Sequence, residues 1–182
     1  DLAKYGVAAD GSWSKPTWEQ VEGIAQYYLT SAEYNALSAD LKATAAGFSA
    51  DSEANLFITL TQQWGGAYTS IAANGKGSYD FENAKSKEAI SWFYNNYKNN
   101  LFGTSTKFGT DYSSDAFKAM QCIMTIGSSA GASYNTTADF KTGVAEYPQR
   151  ADGTNKQVIQ QGTNVCLFKN DNDLEELGGW LF

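Results

Sequence analysis

The sequence predicts an α/β fold in which helices cover a sheet, and three observations carry that expectation. Segments with apolar residues at helical spacing alternate with short runs of strand type. Three strand ends run directly into polar, small-residue turns that open helices, at "SADSEAN", "IGSSAG" and "QQGTN", where ligands gather in layered sheets. The chain has 182 residues, 42% hydrophobic and 18% charged, which is globular composition with room for one packed unit over 1–182.

In chain order, Pro16 and Thr17 open the first helix. Thr17 and Gln20 have capping-box spacing, and Trp18, Val21, Ile24, Ala25 and Tyr28 recur on one helical face. Ser31 to Leu41 is a second, weaker helical segment. "TAAGFSA" reads as a short buried strand, with Asp51 or Ser52 as the cap of the helix "SEANLFITLTQQW" after it. That helix places Leu56, Phe57, Leu60 and Trp64 on one face, puts Glu53 in its first turn against the helix dipole, and stops at Gly65-Gly66. Trp64 lies eleven residues beyond Glu53, roughly 16 Å along the axis, which makes it a core residue rather than a cleft platform.

Asn74-Gly75 between two short runs is a hairpin signal. The nearby Gly75-Lys76-Gly77 lacks the spacing of a phosphate loop. Ile90, Phe93, Tyr94, Tyr97 and Leu101 then define a long amphipathic helix from Asn83. A short helix near Ser113 to Ala119 comes next, then a strand over 122–126, a turn at Gly127 and a further short helix. "KTGVAEYP" and "QVIQQGTNVCLF" read as strands separated by a polar loop from Gln149 to Lys156. The last segment is a helix with Asp173 and Glu176 as its capping box. Asp171, Asp173 and Glu175 lack the glycine and terminal glutamate of a calcium loop.

Composition removes several chemistries. The formal charge is −7 and Lys and Arg form no cluster, which disfavours nucleic acid and anionic membranes and favours a neutral, polar ligand. With no His and two Cys, the chain offers no His-based general base and no cysteine–histidine zinc site; no metal and no cofactor is expected. Ser129 sits at the centre of a G-x-S-x-G pattern after a strand, the arrangement of a hydrolase nucleophile. A serine nucleophile needs a positioned base, and neither His nor an S-x-x-K spacing from Ser128 or Ser129 supplies one. A two-carboxylate glycosidase is the other enzymatic alternative; its nearest pair, Asp51 and Glu53, has an i, i+2 spacing that turns the two side chains apart. No apolar run reaches membrane-spanning length.

The ordered set "PTWEQVEGIAQ", "NLFITLTQQWGGAYT", the helix from Asn83, "GTDYSSDAFKAMQCIMTIGSS", "FKTGVAEYPQ", "VIQQGTNVCLF" and "ELGGWLF" resembles the extracellular solute-binding proteins of carbohydrate ABC importers, the maltose-binding group. The match runs over roughly residues 47 to 182 and resembles only the second of that family's two lobes. It implies a periplasmic-binding-protein type II lobe, a mixed sheet covered by helices in three αβα layers, with the first lobe lying outside these residues. It also implies a bacterial, extracellular or periplasmic protein anchored as a lipoprotein in its full-length parent. Such a protein is monomeric, captures a sugar or oligosaccharide without chemistry, and delivers it to an ABC transporter permease.

Carried onto this sequence, the resemblance implies cleft residues Ser52, Glu53 and Asn55 at a helix start, Tyr112 in "TDYS", the turn Gly127, Ser128 and Ser129, and Gln161, Gly162, Thr163 and Asn164 from the last strand. Asn55 stands where the maltose-binding relative has an aromatic residue, so a sugar is implied as a class. A helix starting near Ser128 would point backbone N–H groups at the ligand, with small side chains allowing close approach. Cys122 and Cys166 lie on the two expected strands and either form a disulfide or remain buried thiols.

Overall fold

The computed structural model describes residues 2–162, 166–169 and 171–181. Helix α1, Trp18–Leu29, starts where Thr17 is extended: the Thr17 hydroxyl accepts the Gln20 N–H, and Gln20 Oε1 accepts the Thr17 N–H. Trp18, Val21, Ile24, Ala25 and Tyr28 form its buried stripe. The expected second helical segment divides into α2, Ala32–Ala36, and α3, Ala39–Thr44. The division comes from Ser38, whose hydroxyl accepts the Leu41 N–H and starts a new helix after Leu37 leaves helical geometry.

Strand β1, Phe48–Ala50, is buried at every position. Helix α4, Glu53–Gln63, comes next, with Ser52 as its cap. The hairpin strands β2, Thr69–Ile71, and β3, Gly77–Tyr79, pair antiparallel around Asn74-Gly75, where Gly75 takes φ +80°. Helix α5, Ala84–Lys98, leads to β4, Phe102–Thr104. The short helices α6, Ser105–Phe108, and α7, Ser113–Lys118, precede β5, Met124–Ile126. A 3₁₀ segment spans Ser129–Asn135, and α8, Asp173–Leu181, is the last element.

The main sheet has the order β4-β1-β5, with β1 parallel to both neighbours. Register sets Phe48, Phe102 and Met124 abreast, and Ser49, Gly103 and Thr125 abreast, so the two sets face opposite sides. Phe48 and Phe102 join Trp18, Leu56, Leu60, Trp64, Ala89 and Phe93 in one core beneath α1, α4 and α5. On the other side Gly103 lies under Phe108, leaving no room for a Cβ, and Thr125 bonds to Ser113, so α6 and α7 cover that face. At the amino end of β1, a Cβ on Gly47 would lie 2.4 Å from Ala25 Cα, so glycine permits α1 to cross there. The chain is therefore α/β, with a parallel three-stranded sheet flanked by helices.

Several local expectations change. The main sheet is parallel rather than mixed, and the only antiparallel pair of strands among the described residues is the separate hairpin. "KTGVAEYP" and the described part of "QVIQQGTNVCLF" are not strands. Instead the side chain of Gln63, fully buried at the end of α4, holds this region. Its Nε2 donates to the carbonyls of Pro148 and Gln157 and to Gln149 Oε1, and its Oε1 accepts the Trp18 indole N–H. Carbonyls that a side chain engages need no ladder, and Val144, 89% exposed, buries nothing on a sheet face. The cap of α8 is Asn172, one residue before the expected Asp173: Asn172 Oδ1 accepts the Leu174 and Glu175 N–H groups.

Both cysteines are free; Cys122 is buried and Cys166 exposed, so the expected strand neighbours do not form and only one thiol is a core group. Burial pushes the Cys122 thiol and the Tyr28 and Tyr147 phenols up to about 12. An unfolded chain releases these protons near the ordinary values of 9 and 10, whereas the folded chain retains them. The stability these three groups contribute is thus fully present below pH 9 and is lost as pH rises from there toward 12. The urea midpoint should fall across that interval, and a midpoint that stays flat there would contradict this.

Candidate ligand-binding rim

Because the three strands are parallel, their carboxyl ends Ala50, Thr104 and Ile126 lie on one edge. The segment after β1 turns there into α4 through Asp51 and Ser52. The Ser52 hydroxyl accepts the Asn55 N–H at 3.3 Å, so the capping that starts the helix also fixes Asn55 and leaves Glu53 exposed in the first turn. The segment after β5 passes alongside: the Asp51 N–H donates to Ile126 O at 3.0 Å, and a Cβ on Gly127 would stand 3.4 Å from Asp51 Cβ.

A third segment joins through the same aspartate. Asp51 Oδ1 accepts both the backbone N–H and the hydroxyl of Ser113, at 3.0 and 3.1 Å. Thr125 Oγ1 in turn donates to Ser113 Oγ at 2.8 Å. This chain of bonds, Thr125 to Ser113 to Asp51, seats the start of α7 on the rim. Tyr112, immediately before α7, is 62% exposed.

Ser52, Glu53, Asn55, Tyr112, Gly127, Ser128 and Ser129 therefore lie on three loops and the helix starts they lead into, at one sheet edge. The turn at Gly127 differs from expectation, since it leads into a seven-residue 3₁₀ segment rather than an α-helix. Ser128 caps it by accepting the Ala130 N–H, and Ser129 is exposed. That is not the strand–turn–α-helix frame a nucleophile elbow requires. Gln161 and Gly162 are exposed, and no hydrogen bond among the described residues joins them to the rim. The segment just before them is held at Gln63, the opposite end of α4 from Glu53. Thr163 and Asn164 lie outside the described residues.

The residue that sequence reasoning missed as an organiser is Asp51, considered only as a cap or as half of a carboxylate pair. Its partner Ser113 is 62 positions away, a separation at which local spacing carries no signal. Among the described residues no group of three His, Cys, Asp or Glu is placed to hold a metal ion, and no helix is long and apolar enough to cross a membrane. A groove of about 550 Å³ between α5 and β4 is lined by Ile90, Phe93, Tyr94, Tyr97 and Thr104 among others; it reaches the same sheet edge at Thr104, but none of Ser52, Glu53, Asn55, Tyr112, Gly127, Ser128 and Ser129 lines it.

The arrangement defines a class: an α/β unit whose carboxyl sheet edge carries exposed hydroxyls, an amide, a carboxylate and a tyrosine on three tied loops. No family model, no curated protein and no solved structure matches the chain.

Proposed function

We propose that the rim is one lobe's half of a sugar-binding cleft, in an extracellular solute-binding protein that serves a carbohydrate ABC importer. The observation that supports it best is the convergence of three polar loops on Asp51 at one sheet edge. Ser128, Ser129 and Asn55 offer neutral hydrogen-bonding groups, Glu53 accepts hydroxyl protons with charge assistance, and Tyr112 supplies a ring. Such a set holds a polyol and assigns no group to bond cleavage. A type II lobe would close on the ligand against a second lobe, and the closed form would present the sugar to a membrane permease. The parent would be a monomeric lipoprotein outside the cytoplasmic membrane.

Calorimetry of the two-lobed parent against a sugar panel, paired with a hydrolysis assay, tests this. Saturable binding without turnover is expected, with Glu53→Gln weakening affinity about tenfold, as losing one charge-assisted acceptor at roughly 1.4 kcal/mol implies. Turnover abolished by the same substitution would replace capture by glycoside hydrolysis. Residues 1–182 alone should bind far more weakly than the parent, because half of the contacts belong to the other lobe; micromolar affinity for this chain alone would contradict the two-lobed arrangement.

A further inference from the structure

We propose that the β2–β3 hairpin extends the rim as an aromatic platform, so that the ligand is an oligosaccharide rather than a single sugar; this rests on the rim being a sugar site. Phe57 lies four residues after Glu53 on α4, hence on the same helical face and about 6 Å along the axis. Its ring meets Tyr68 at 6.1 Å and Phe81 at 6.3 Å between centroids. Tyr68 and Phe81 stack at 5.5 Å, and Tyr79 continues the series at 6.4 Å from Phe81. The rings thus run in unbroken contact from the second turn of the rim helix out to the hairpin.

The outer end of that series is open. Tyr79 is 81% exposed, Ile71 80% and Phe81 41%. The register explains how the ribbon presents them: Thr69 pairs with Tyr79 and Ile71 with Gly77 on one face, while Ser70 pairs with Ser78 on the other. On the serine face the polar groups satisfy one another, Ser70 to Ser78 at 2.9 Å and Ser78 to Asp80 at 3.0 Å. On the aromatic face Gly77 offers no side chain opposite Ile71, which leaves Tyr79 standing clear with the Thr69 and Tyr79 hydroxyls at its border.

A two-stranded ribbon is marginal by itself and gains nothing from rings left in water. Exposed aromatic faces edged by hydroxyls match the two sides of a pyranose, its C–H face and its hydroxyl rim. Continuity with Glu53 through Phe57 selects that occupant over an unrelated protein surface. The rim would hold one terminal unit, and successive rings would lie along Phe81 and Tyr79.

The test is an NMR titration of the 182-residue chain with glucose, mannose and xylose series, each from one to about six rings. At least a roughly tenfold gain in affinity from one ring to about four is expected in one series, with shifts in the Tyr79 ring signals only for the longer members. Tyr79→Ser alters an exposed side chain, so the fold should persist, and it should abolish the length dependence while leaving the single sugar unaffected. Length-independent affinity, or a length dependence that Tyr79→Ser leaves intact, overturns the platform and leaves the rim standing. Absence of binding by the longest member of every series also overturns the platform, since all of it lies on this chain; the rim is then decided by the titration of the two-lobed parent.

Discussion

Trp18→Ala is expected to destabilise the protein by about 3–5 kcal/mol, the cost of deleting a buried large aromatic side chain. Trp18 is 1% exposed, and its ring touches Phe48, Trp92, Phe102 and Tyr147 at centroid distances of 5.6 to 6.4 Å. One side chain therefore joins α1 to β1, β4, α5 and the segment beyond the 3₁₀ turn. Its ring neighbours are held against one another, Phe48 on Phe102 and Trp92 on Phe102, so the cavity term is added to the lost transfer energy. Its indole N–H also donates to Gln63 Oε1 at 2.6 Å, and Gln63 holds the 148–157 segment; the Ala variant leaves that oxygen buried without its donor. Trp18→Phe separates the two effects, because it keeps most of the ring and loses the donor, and should cost about 1–3 kcal/mol. Urea unfolding measured by circular dichroism reads both, and a loss under about 1 kcal/mol for Trp18→Ala would show that the core is organised around other residues.

What the sequence reveals about this fold depends on how local the governing interaction is. The capping box of α1, the stripe from Trp18 to Tyr28, the Asn74-Gly75 turn and the burial of Trp64 are each set within a few residues, and each is present. β1 is also legible, because "FSA" between a small-residue run and a cap has few other uses. The region from Lys141 to Gln157 is not legible, because its far part answers to Gln63, 85 to 94 positions away, and alternation in "KTGVAEYP" without burial mimics a strand. At the rim the same division holds. Ser52 as a cap and Gly127 as a turn are local facts. The bridge from Asp51 to Ser113, which decides that Tyr112 shares the edge, is a long-range contact between two residue types common in any loop.

That bridge gives the second large effect. Asp51→Ala removes the acceptor of two hydrogen bonds, from the Ser113 N–H and hydroxyl, and leaves the first backbone donor of α7 without its partner. Hydrogen bonds to a charged group contribute about 1.5–3 kcal/mol, and Asp51 is only partly buried, so a loss of about 2 kcal/mol in unfolding free energy is expected. The effect on binding should be larger than that of Tyr112→Ala, because freeing α7 displaces Tyr112 and also releases Thr125 next to the Gly127 turn. Asp51→Asn discriminates between a strut and a ligand contact. An amide oxygen still accepts from Ser113, so under the strut role both stability and sugar affinity should stay within a factor of a few of the native protein. Native stability combined with lost affinity would mean that the carboxylate touches the sugar itself, and Asp51 would then move from the frame of the rim to its binding surface.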